Sequence, residues 1–81
     1  MDIQELFEVV NKSGANYQLD SLRHLIIVNG LTDQVLKVKG WLDNNGFMCD
    51  ADKSTPKVLL IFYNEANPVS RGYACLDWEM L

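Results

Sequence analysis

Two cysteines, Cys49 and Cys75, and one histidine, His24, are the side chains of this chain whose types invite metal or nucleophilic chemistry. Zinc sites draw on four ligands, two of them usually a few residues apart. Cys49 and Cys75 stand far apart and a single imidazole cannot complete the set, so no metal and no cofactor are expected. The two thiols are left with two readings: a disulfide if they fall on neighbouring strands, or two buried side chains acting as small hydrophobes. Glu5 with Glu8 and Asp50 with Asp52 are the nearest thing to an acid–base dyad, and scattered carboxylates of this kind read as solvated faces. With no nucleophile motif, Gly-rich phosphate loop or His-Glu pair, no enzyme and no catalytic residue are expected. Ser54-Thr55-Pro56-Lys57 has the form of a proline-directed phosphorylation site, but plain turn chemistry is the preferred reading.

The chain that must position these residues has 81 of them, 48% hydrophobic and 22% charged, with a net charge of −4. That describes one ordinary globular domain, residues 1–81, without a membrane span. Asp2 and Glu5 stand where a signal peptide would need basic residues, so a cytoplasmic, intracellular protein is expected.

Three glycines, Gly14, Gly30 and Gly46, each close a stretch with helical apolar spacing. Asp2 and Glu5 form a capping-box-like pair, and Ile3, Leu6, Phe7 and Val10 make one stripe, ended by Ser13-Gly14. Residues 19 to 29 are ambiguous. Asp20 suits an N-cap, Leu19, Leu22, Leu25 and Ile26 keep helical spacing, and Asn29-Gly30 has the form of a helix stop, yet Leu25 to Val28 would also suit a buried strand. Helix is the expectation. In the third unit Thr32 caps, Leu31 and Leu36 form a staple, Leu31, Val35, Val38 and Leu42 are buried, and Asn45-Gly46-Phe47 predicts a Schellman ending. Gly40, inside that helix, marks either a packing site or a close approach to a partner. Strands are expected at 47 to 50, at 57 to 63 in the centre, and at 72 to 78 with Ala74, Leu76 and Trp78 inward.

The expected fold is therefore α+β, three helices followed by a small antiparallel sheet; the alternative, with residues 22–28 as a strand, is α-β-α-β-β. The pattern Val35, Leu42, Gly46, Phe47, preceded by Leu25, Gly30 and Leu31, resembles a winged-helix domain in which the third helix follows a helix-turn-helix. The resemblance implies recognition through that helix and the wing: Asp33, Leu36, Lys37, Gly40, Trp41 and Asn44, with Asp50 and Asp52. Those residues carry no net positive charge and the chain as a whole is acidic, so unaided nucleic-acid binding is disfavoured. The expected function is a small acidic protein-binding module, a regulator or inhibitor, with Leu36, Trp41, Tyr63 and Tyr73 as candidate exposed anchors. Two alternatives are a winged-helix DNA-binding regulator and an acidic nucleic-acid mimic of the kind phages and mobile elements encode against a basic channel of a host defence protein. A homodimer through an edge strand, 47 to 50 or 72 to 78, is a further option.

Overall fold

The computed structural model describes residues 3–62 and 72–78. Helix α1 (Ile3–Ser13) is followed by strands β1 (Asn16–Asp20) and β2 (Leu25–Asn29), helix α2 (Thr32–Asn44), and strands β3 (Met48–Cys49), β4 (Val58–Phe62) and β5 (Gly72–Leu76). The strands form one sheet in the order β1-β2-β4-β5-β3, antiparallel throughout except that β3 runs parallel to β5. The class is α+β, but the expected three helices and small antiparallel sheet are corrected to two helices and a five-stranded mixed sheet among the described residues. No helix among them is long and apolar enough to cross a membrane.

The correction lies in residues 19 to 29, which form a hairpin instead of a helix. Asp20 does accept an N–H three residues on, from Arg23 at 3.2 Å, and its other oxygen lies 3.0 Å from Arg23 Nε. That carboxylate closes the turn between β1 and β2, and His24 takes the left-handed φ of 51° that brings the chain back. The alternative with a strand at 22–28 comes nearer, but residues 22–24 belong to the turn, and β1 has no counterpart in either expectation. Gly30 is not a helix stop either: its N–H donates to the Lys57 carbonyl at 3.2 Å and continues the sheet.

The core forms on one side of the sheet. Register aligns Leu19, Ile26, Ile61 and Tyr73 in one row, and Tyr17, Val28, Leu59 and Cys75 in the next. From Ile26 and Val28 onward both rows are buried under Leu6 and Val10 of α1 and Val35, Val38 and Leu42 of α2, with Phe47 beside them. Each such fully enclosed aliphatic side chain contributes about 1.5–3 kcal/mol. At the β1 edge Tyr17 and Leu19 stay partly exposed, and the Phe7 ring stacks on Tyr17 with centroids 4.6 Å apart.

Several local expectations are met and others corrected. The Schellman ending of α2 is present, with Phe47 N–H donating to Leu42 O at 3.1 Å, Gly46 N–H to Asp43 O at 3.3 Å, and Gly46 at φ 82°. Leu31, not Thr32, is the N-cap; it is 72% exposed, outside the buried stripe, and its N–H is taken by Gln34 Oε1 at 2.9 Å. In β5 the inward residues are Tyr73 and Cys75, not Ala74 and Leu76, and Trp78 is exposed. β5 is also an inner strand, so the edges of the sheet among the described residues are β1 and β3. The expected Asp2 cap, Tyr63 anchor and loop 64–68 lie outside the described residues.

Two glycines make opposite predictions. A Cβ on Gly30 would stand 2.7 Å from Gln34 Oε1 and 3.3 Å from Ala15 Cβ, displacing the amide that caps α2. A Cβ on Gly40 would meet nothing within 4 Å, so Gly40 is no packing site. In urea titrations Gly30→Ala should lower stability by about 1–2 kcal/mol, and Gly40→Ala should raise it by about 0.5–1 kcal/mol.

Candidate functional site

Because side chains alternate along a strand, the sheet has a second face. Ile27, Leu60 and Ala74 form its middle row, flanked by Leu25, Phe62, Gly72 and Met48 on one side and Asn29, Val58 and Leu76 on the other. Leu25 and Val58 are buried. Ile27, Leu60, Ala74 and Leu76 are half-buried, while Phe62 is 43% and Met48 75% exposed. Both helices lie over the opposite face, so this apolar surface is left uncovered by them. At its β1–β2 end a hollow of about 460 Å³ opens beside Ile27, lined in part by Gln18, Asp20, Leu22 and Arg23. Leu22, at the hairpin tip, is 93% exposed.

The residues singled out from sequence lie elsewhere. Asp33, Leu36, Lys37, Gly40 and Asn44 are exposed on the solvent side of α2, where Leu36 is the lone apolar member and one acid stands against one base. Trp41, expected to be exposed, is half-buried and packs against the core, its ring 6.4 Å from that of Phe47. Asp50 and Asp52 follow β3 and are exposed; Asp52 is drawn to α2 by Lys39, while the Asp50 N–H donates to the Tyr73 carbonyl at 2.9 Å. Tyr73, also expected at the surface, is wholly enclosed.

Where α2 crosses β5 and β3, the structure gathers a polar cluster that sequence reasoning did not find. Lys39 Nζ lies 3.0 Å from Asp43 Oδ2, 3.3 Å from Asp52 Oδ1 and 5.9 Å from the centre of the Tyr73 ring. The Tyr73 hydroxyl donates to Asp43 Oδ1. The Asp43 bond holds the Lys39 ammonium well above its ordinary pKa, and the Tyr73 hydroxyl holds the Asp43 carboxyl below the usual carboxylate range. Burial, then Asp43, raises the Tyr73 phenol, which stays protonated and donates. Beside this group Cys49 Sγ and Cys75 Sγ are 3.6 Å apart as free thiols. Burial, helped by the neighbouring thiol, pushes Cys75 up to about 12, so it rests as a neutral S–H. Lys39 to Asp43 is an i, i+4 pair and was legible as such; the partners across β5 and β3 had no local signal.

Comparison with protein-family models, with curated proteins and with solved structures gives no match.

The cluster carries a pH-dependent prediction. Asp43 titrates lower folded than unfolded, so its contribution is present above the unfolded carboxylate pKa and is lost as pH falls through the folded one. Tyr73→Phe removes the principal cause of that shift. Because Asp43 is partly solvated, the substitution should cost about 1 kcal/mol at neutral pH. In urea titrations across the acid range, the gap between the two proteins should close below pH ~4.

Proposed function

We propose that this chain is a non-enzymatic protein-binding module, a regulator or inhibitor that works by occupying a partner, and that it docks through the outer face of its sheet. The supporting observation is the half-buried middle of that face, Ile27, Leu60 and Ala74, which neither helix covers, extended by the exposed Phe62 and Met48. A strand with one wet face ordinarily alternates apolar and polar residues. β4 reads Val-Leu-Leu-Ile-Phe, apolar at every position, although helices cover only one of its faces. A contiguous apolar surface of this kind, with exposed aromatic and methionine side chains, has the composition of an interface core. The hollow beside Ile27 offers a place for one anchoring side chain of the partner. A net charge of −4 favours a partner whose apolar patch is ringed by lysine and arginine. Clustered carboxylates, which a nucleic-acid mimic needs, are not offered by Asp20, Asp43 and Asp52, since each is paired with a cation.

The test uses Phe62→Asp and Met48→Asp, exposed positions where folding should change by no more than about 1 kcal/mol. In pull-downs from nuclease-treated lysate, both should lose the protein that the wild type retains, whereas Lys37→Glu on α2 should keep it. Capture that survives Phe62→Asp, or that vanishes with nuclease, refutes this reading.

A further inference from the structure

We infer that Cys49, Cys75 and Asp52 form a binding site for a thiophilic divalent cation, zinc or an ion like it, with the fourth coordination position open. The three donors come from β3, β5 and the segment after β3, and their ligand atoms all lie within 4.8 Å of one another. The sulfur spacing fits the ion. With metal–sulfur bonds of about 2.3 Å, thiolates 3.6 Å apart subtend an angle of about 103° at the metal, close to tetrahedral. A disulfide would instead need the sulfurs at about 2.05 Å.

The surroundings suit the ion as well. Lys39 grips Asp52 through Oδ1, while Lys39 is itself held by Asp43, and Asp43 by Tyr73. Such a chain of outer contacts fixes a ligand's orientation. Two thiolates and Asp52 would carry three negative charges and Asp43 a fourth, against three positive ones from a divalent ion and the Lys39 ammonium, so the ion removes most of the charge that the ionised thiols bring. Thiolate donors select zinc and similar ions over magnesium or calcium. Asp52 is largely exposed and Cys49 only half-buried, so the ion has a way in and room remains for a water or small ligand. Paired cysteine spacing is absent because the parallel pairing of β3 with β5, not a single loop, brings the thiols together.

The experiment titrates the reduced, metal-free full chain with cobalt(II) and then displaces the cobalt with zinc. Expected are a sulfur-to-cobalt charge-transfer band in the near ultraviolet, visible bands of tetrahedral intensity, saturation at one ion per chain, and loss of all of them on adding zinc. Asp52→Asn, at an exposed position, should keep the sulfur band but shift its titration to higher cobalt. Cys49→Ser should remove about half of the band, one thiolate of two. No sulfur band in the wild type, or a band unchanged in Cys49→Ser, overturns the assignment. Because Phe62→Asp lies on the other face of the sheet, it should bind cobalt normally, which separates this test from that of the docking surface.

Discussion

The inward rows Ile26–Ile61–Tyr73 and Val28–Leu59–Cys75 are the surface on which every other element rests. Both helices turn their apolar stripes to those rows, and among the described residues no other helix lies over the reverse side. Burial of one face is thus complete, with Ile26, Ile61, Leu59, Val28, Tyr73 and Cys75 wholly enclosed, while the opposite parity of the same strands stays partly wet. The amphipathic sheet that would ordinarily result is missing from the sequence. β2 and β4 carry aliphatic residues at consecutive positions, so the second face is apolar too, buried at Leu25 and Val58 and partly exposed at Ile27, Leu60 and Phe62.

That duplication also explains what the sequence revealed and what it hid. The central strand was legible because an unbroken apolar run from Val58 to Phe62 excludes a half-buried helix. Leu25–Asn29 has the same signature, yet Asp20 and Asn29-Gly30 argued for helix. The Asp20 carboxylate accepts the Arg23 N–H whether a helix or a hairpin follows, so its presence cannot tell them apart. What decides is the pairing of β2 with β4, distant in sequence, which no local window sees. The phase of β5 is hidden for a related reason. Gly72–Leu76 contains no charged residue to mark the solvent side, so Tyr73 and Cys75 could be placed inward only once their partners Ile61 and Leu59 were known.

Local chemistry was read best where it is self-contained. The end of α2 at Asn45-Gly46-Phe47 closes on its own carbonyls, and the end of α1 at Ser13-Gly14 does likewise, with the Ser13 hydroxyl bonded to the Val10 carbonyl at 2.7 Å. Gly14 and Gly30 then acquire a meaning their spacing did not suggest: both face the Gln34 amide, which is within 2.9 Å of where a Cβ on either would be. One side chain thereby joins the end of α1, the end of β2 and the start of α2, so these glycines are sites of close approach as well as punctuation. The polar cluster around Lys39 is the opposite case. Of its members only Lys39 and Asp43 are neighbours on one helix; Asp52, Tyr73, Cys49 and Cys75 arrive through the sheet.

β3 is where the two faces of the molecule meet. It has two residues, and alternation sends Met48 to the outer face and Cys49 toward α2. Besides its own short pairing with β5, the segment is held by Asp50 N–H to the Tyr73 carbonyl and by Cys75 N–H to the Ala51 carbonyl. So short an edge strand contributes little stability of its own. An ion drawing Cys49, Cys75 and Asp52 together would add a bond from β3 to the inner strand β5 and to the segment that Lys39 ties to α2. Met48, one residue away, would then be fixed at the rim of the outer face. Occupancy on the helix side of the sheet would thus bear on how firmly the docking surface is presented on the other, through one residue of backbone.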